Sequence, residues 1–237
     1  MRPKLYGHRG ARGERPENTI EGFLYARSLG LAGIETDIAM TADLVPVLHH
    51  DAELPDGRLI RNVNFADLPE GLPALERALR AVPETEWLLE IKTYPLTPEK
   101  SHPPALMVEK TLAVLGGGRV CILAFDWAVL RAVAAWAPWV RRVCLTAPDT
   151  AEARELWWGP GFEGQTIPQA VAASGAYGWA GLHSAMTEAE SREARALGLK
   201  TFAWTVNDAG EFNRLASLAD GIMTDYPSKF VPERESV

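Results

Sequence analysis

The sequence predicts an α/β chain folded as a single (β/α)8 barrel of the TIM type, one domain over residues 1–237, with its active site at the C-terminal face of the strands. Three observations predict it. Eight short apolar runs recur along the chain, with helical patterns between them. Polar residues able to do chemistry close several of those runs. No G-x-G-x-x-G follows the first run, which counts against a doubly wound dinucleotide-binding sheet, the other architecture with this alternation.

The predicted strands are 4–8, 33–38, 87–92, 119–124, 141–146, 177–183, 200–206 and 220–224. The first predicted helix, 19–29, carries Ile20, Phe23 and Leu24 on one face. Asn18 reads as its cap, with Glu21 three residues on, and Gly30 as its stop. Further helices are predicted at 75–82, 105–115, 127–137, 188–197 and 209–218, with a weaker one at 168–174. Two longer excursions, 41–72 and 147–176, follow predicted strands and belong at the C-terminal face. The second holds Trp157 and Trp158, which read as packing of that loop onto the barrel, with a lipid-contacting lid as the alternative.

Composition narrows the partners. The chain is 47% hydrophobic and 23% charged, as globular proteins are. Its net charge is −7 and it has no long basic run, so nucleic acid is not an expected partner. No run reaches the roughly 18 apolar residues of a membrane span, and the N-terminus lacks an apolar signal core. No stable membrane insertion and a cytoplasmic location are expected. Cys121 and Cys144 lie in apolar runs and read as buried thiols.

The strand ends carry the chemistry. Glu35 and Asp37 are two apart, which puts both on one face of a strand, and the same holds for Glu90 and Lys92. Either pair alone reads as a salt-bridged strand end. Three carboxylates meeting at one barrel mouth repel one another unless a cation sits among them, and hard oxygen ligands suit Mg²⁺ or Ca²⁺. His8, with one of His49 or His50, is a candidate acid/base pair for phosphodiester cleavage. Alternation sends His49 and His50 to opposite faces without choosing between them. Asp51 beside His50 would orient an imidazole. His102 and His183 read as packed or surface residues. Arg9 offers a fork for phosphate oxygens and Lys92 a point charge.

Taken together these residues resemble the glycerophosphodiester phosphodiesterase family. The matching segments are His8-Arg9-Gly10, Pro16-Glu17-Asn18-Thr19, Glu35-Thr36-Asp37, Thr41-Ala42-Asp43, Val47-Leu48-His49-His50-Asp51, Leu89-Glu90-Ile91-Lys92, Trp204-Thr205-Val206-Asn207 and Gly221 to Pro227. They fall in family order, and His8 precedes the E-x-D pair by 27 residues and His50 by 42. The resemblance implies metal-dependent hydrolysis of glycerophosphodiesters to sn-glycerol 3-phosphate and an alcohol, in glycerol and lipid metabolism. It assigns acid/base roles to His8 and His50 and metal ligation to Glu35, Asp37 and Glu90. Arg9 and Lys92 match phosphate-holding positions, and Glu17, Asp51, Trp204 and Asn207 match positions that line the site. The expected partner is a small glycerophosphodiester substrate, and a homodimer is allowed. The chain departs from the family pattern after Asp51, where 52–72 is short and lacks a clear R-x-T element, and at Ala124-Phe125, where the family has Ser-Phe. Three rival readings remain. One is a lysophospholipase D-type phosphodiesterase acting on lipids. Another is a metal-dependent lyase or aldolase barrel using Lys92 as a Schiff base or proton carrier. The third is a non-catalytic binding barrel, which would be expected to lack a ligand or a histidine, and none is missing here.

Overall fold

The computed structural model describes residues 2–231. Eight parallel strands close into a barrel in the order they occur in the chain: β1 (Lys4–Gly7), β2 (Gly33–Met40), β4 (Glu86–Ile91), β5 (Val120–Ala124), β6 (Arg141–Thr146), β7 (Gly178–Leu182), β8 (Lys200–Trp204) and β9 (Gly221–Thr224). Closure is made by β1, which pairs with β2 on one side (Tyr6 opposite Gly33) and β9 on the other (Lys4 opposite Gly221). A short strand, β3 (Pro46–Leu48), runs antiparallel on the end of β2, with Leu48 opposite Ile38. Every strand expected from the sequence is present, and β3 is the addition. It falls within the 41–72 excursion and uses the apolar run Leu44–Leu48.

The helices α1 (Ile20–Ser28), α2 (Leu75–Ala81), α3 (Pro104–Ala113), α4 (Trp127–Trp136), α7 (Ile167–Ala173), α8 (Glu188–Ala196) and α9 (Ala209–Leu215) match the expected ones to within a few residues. Two short helices, α5 (Pro148–Glu152) and α6 (Arg154–Trp157), lie in the 147–176 excursion ahead of α7 and were not expected. The cap of α1 differs from expectation. Thr19, with extended backbone, accepts the Gly22 amide at 3.1 Å and is the true N-cap. Asn18 sits one residue earlier at φ 54 and turns its amide into the barrel. Gly30 does end the helix, at φ 74.

Alternation along each strand divides the core. Ile34, Ile38, Trp87, Leu89, Ile91, Ile122 and Ala124 face the helices. Residues of the opposite parity, including Tyr6, Leu88, Cys121, Leu123, Val143, Leu145, Phe202 and Met223, form the cluster that fills the barrel. The middle of the inward column is apolar on most strands, and low in the barrel the buried Glu86 of β4 accepts the Tyr6 hydroxyl at 3.0 Å. On β1, β2 and β4 the column turns polar at the C-terminal end, which puts the site on one side of the mouth. Both cysteines are buried and free. Among the described residues no helix is long and apolar enough to cross a membrane.

The two neighbouring tryptophans part company. Trp158 is fully buried and stacks on Trp127 with ring centroids 4.5 Å apart, and Phe162 closes edge-on against Trp127 at 5.2 Å. Trp158 therefore packs the excursion onto α4 and is no lid. Trp157 is half-buried and meets Phe125 edge-on at 6.4 Å. Trp158→Ala is expected to cost about 3–5 kcal/mol, the usual range for deleting a buried aromatic. Denaturant unfolding with an unchanged m-value would measure it, and a loss below about 1 kcal/mol would contradict the packing role.

Candidate active site

The turn after β1 builds one wall. Gly10 lies at φ 90 and Arg9 at φ 49, and Gly10 donates its amide to the Gly7 and Glu35 carbonyls at 3.3 and 3.2 Å. A Cβ on Gly7 would lie 1.8 Å from the Gly10 oxygen, so only glycine permits this turn. The turn aims the Arg9 amide at Glu35 Oε2, 3.0 Å away. It also brings His8 to the top of the barrel.

Three carboxylates from neighbouring strands meet there. Glu35, Asp37 and Glu90 are all buried, and each offers one oxygen within 4.8 Å of the others. The expected alternation produces this: Asp37 sits opposite Glu90 in the β2–β4 register, and all three point inward. The Asn18 amide donates to Asp37 Oδ2 at 3.1 Å, while its carbonyl accepts from Thr36 Oγ1 at 2.7 Å. Asn18 is thus a holder of the acidic cluster rather than a helix cap. The Pro-Glu-Asn-Thr segment was its only signal in the sequence.

Two fixed cations stand against the three acids. Arg9 Nε lies 3.2 Å from Asp37 Oδ2, and its Nη1 donates to Glu17 at 3.1 Å. Lys92 Nζ donates to Glu90 at 2.8 Å and lies 3.6 Å from Asp37. Burial raises the pKa of Glu35, and the charges of Asp37 and Glu90 raise it further. Burial also acts on Asp37, but Lys92, Arg9 and His50 outweigh it and hold that carboxyl below its ordinary value. Glu35 is therefore the carboxyl left short of positive charge.

The imidazoles complete the mouth. His8 Nδ1 donates to Asp225 Oδ1 at 2.6 Å, with Nε2 turned toward Glu35 Oε2 at 3.8 Å. Burial disfavours its charged form, but the Asp225 hydrogen bond and the Glu35 charge prevail, and its pKa is raised. Asp225 is itself held by the Asn207 amide at 2.7 Å. His50 Nδ1 donates to Asp51 Oδ1 at 2.7 Å. Burial lowers its pKa, helped by the charges of Lys92 and Arg9.

His8, Arg9, Glu35, His50, Glu90 and Lys92 line one cavity of about 160 Å³. Leu123, Phe125, Leu145, Trp204 and Met223 supply its apolar side, with Phe125 and Trp204 edge to face at 5.5 Å. His49 lines only the neighbouring groove, whereas His50 lines both it and the cavity. His102 Nε2 bonds the Thr41 carbonyl at 3.0 Å, and His183 Nδ1 bonds Glu211 at 2.8 Å, both outside this cavity. Sequence reasoning missed Arg12, which lines the cavity between Glu17 (3.5 Å) and Asp225 (3.7 Å). Asp225 lies in the Gly221–Pro227 segment that the sequence singled out without a role for it, and it steadies His8. A larger cavity of about 770 Å³ lies at the other end of the barrel, beside the segments entering β4 and β5, and contains none of the candidate residues.

A closed parallel barrel with two imidazoles, three carboxylates and two cations around one small mouth has the layout of an acid–base enzyme. The chain belongs to the glycerophosphoryl diester phosphodiesterase family, whose model matches residues 8–229. A solved family structure from Silicibacter pomeroyi is 29% identical, superposes with a TM-score of 0.82, and is matched over 96% of this chain and 91% of that one. The Bacillus subtilis protein YqiK is 26% identical over 95% of this chain and 96% of its own length. Glycerophosphodiester phosphodiesterase domain-containing protein 4 of Mus musculus is 45% identical over 62 residues, which are 26% of this chain and 10% of that protein.

Proposed function

We propose that this chain hydrolyses glycerophosphodiesters to sn-glycerol 3-phosphate and an alcohol, with His8 and His50 as acid and base and a divalent cation held by Glu35, Asp37 and Glu90. The observation that carries the reading is the meeting of both imidazoles and the carboxylates at one small cavity. The donor set fits such an ion. Oxygens bound at about 2.3–2.6 Å to one Ca²⁺, or closer to Mg²⁺, lie at most about 5 Å apart. The cluster meets that limit, is buried, and carries more negative than fixed positive charge. When bound, the cation would polarise the phosphoryl oxygens and offset charge developing there.

The protein's own groups divide the remaining work. Asp51 accepts a hydrogen bond from His50 Nδ1–H, which leaves Nε2 with a free lone pair, and the lowered pKa favours the neutral ring. His50 is therefore suited to take a proton from the nucleophile. His8 is the opposite case. Its raised pKa favours the charged form, and Asp225 fixes the ring so that Nε2 can give a proton to the departing oxygen. Arg9 and Lys92 would hold phosphoryl oxygens, and the apolar half of the cavity would receive carbon. The Schiff-base reading loses support from Lys92. Burial would lower its pKa, but Glu90 and Asp37 outweigh that and raise it, whereas an amine nucleophile needs it depressed.

The decisive assay is release of sn-glycerol 3-phosphate from glycerophosphocholine or glycerophosphoglycerol by the cation-loaded protein. No release from either would overturn the reading. Asp225→Asn tests the acid separately. An acid must carry its proton, so activity is present below the His8 pKa and falls as pH rises through it. Removing the Asp225 charge lowers that pKa, and the alkaline limb of the kcat profile should move to lower pH by on the order of one unit. An unmoved limb would take the acid role from His8.

A further inference from the structure

The small cavity adjoins a groove of about 470 Å³ that shares His50 and Lys92 with it. The cavity holds the volume of roughly five waters, enough for a phosphoryl group and one short substituent. A diester seated at the carboxylates must place its second substituent elsewhere, and the shared His50–Lys92 edge leads into the groove.

The groove is built, not merely open. One wall is the hairpin of residues 53–59, tied by the Glu53–Leu59 bridge and by the Leu54 amide to the Arg58 carbonyl at 2.8 Å. Leu54 anchors that hairpin in a small core with Ala39, Val47, Ile60 and Val63. The facing segment carries Lys100. Arg61 holds it by donating to the carbonyls of Pro98, Glu99 and Ser101 at 3.1, 3.1 and 2.6 Å. Lys100 Nζ pairs with Glu53 across the groove at 3.0 Å. Tyr94 joins the wall, donating its hydroxyl to the His50 carbonyl at 3.3 Å.

Resting on the hydrolytic reading above, we infer that this groove binds the alcohol half of the substrate, and that it is built for a small neutral polyhydroxy alcohol rather than a quaternary ammonium. Alternating donors and acceptors line it: Lys100 and Glu53, the Tyr94 hydroxyl, and the His49 ring. Vicinal hydroxyls match such pairs, since each both gives and takes a hydrogen bond. A trimethylammonium group needs several aromatic faces or a free carboxylate. Tyr94 is the one phenol, phenyl or indole face among the groove's lining residues. Two ammonium groups, Lys92 and Lys100, stand against its two carboxylates, Asp51 and Glu53, so the lining offers a cation no net negative charge while its oxygens keep lone pairs for hydroxyls.

The test compares kcat/KM for glycerophosphoglycerol and glycerophosphocholine in the cation-loaded protein. Two hydrogen bonds of ordinary strength predict a preference of roughly tenfold or more for the glycerol head group. Lys100→Met and Glu53→Gln should each bring the ratio toward one, mainly through KM for glycerophosphoglycerol. Lys110→Met, on α3 and outside the groove, should leave the ratio as it was. A choline preference in the unaltered protein, or a ratio that neither groove variant changes, would overturn the groove assignment while leaving hydrolysis intact. Inactivity on both substrates would instead overturn the hydrolytic reading, and the groove assignment with it.

Discussion

His8→Ala is expected to lower kcat by about 10²–10⁴-fold, and His50→Ala by a similar factor, the usual contribution of one positioned acid or base. The two losses should differ in their pH signature. Without His50 the acidic limb, which reports the base losing its proton, should vanish, and without His8 the alkaline limb should. The double variant should lose less than the product of the single effects, because acid and base serve one step. Neither ring holds up the fold through apolar packing: His8 is held by Asp225, and His50 lies against the exposed Asp51. Melting temperatures near that of the unaltered protein should accompany the losses. Near-normal turnover in both purified variants would remove the assignment.

The barrel was legible because its strands are short, apolar and separated by amphipathic helices. Alternation alone then put Glu35 with Asp37, and Glu90 with Lys92, on one face of a strand, and the apolar Ile34, Ile38, Leu89 and Ile91 on the other face pack against the helices, which leaves the polar pairs inside. What could not be read depends on contacts between distant parts of the chain. His8 and Asp225 are 217 residues apart, and nothing local marks Asp225 as the acceptor for that imidazole. Gly7 and Gly10 mark the turn after β1, but nothing local says that it carries Arg12 back to the cavity. Asn18 and Thr19 are both competent caps. Only the buried Asp37, short of a donor, decides which of them turns inward. The same kind of contact separates His49 from His50. Lys92 and Tyr94 approach the second of these from β4 and the loop after it.

Chelation is expected to abolish turnover, and added Mg²⁺ or Ca²⁺ to restore it. The physical basis is the charge inventory at the mouth, where Lys92 and Arg9 balance Asp37 and Glu90 while Glu35 has only the Arg9 amide and the more distant His8. Burial and its acidic neighbours raise the Glu35 pKa, so in the cation-free protein this group retains a proton at pH values where an ordinary glutamate, near 4.3, has lost it. Cation and proton then compete for the same carboxylate. Affinity should rise with pH across the window above the ordinary glutamate range, and binding there should release a proton. Titration calorimetry in buffers of different ionisation enthalpy measures that release directly, without reference to activity. Glu35→Gln removes both the charge and the proton, so it should weaken binding and abolish the released proton together. Full activity in excess chelator would reject the cation's role in turnover. A bound cation with no proton release at any pH would show that Glu35 is already ionised, and that Arg9 and His8 supply more positive charge to it than their distances suggest.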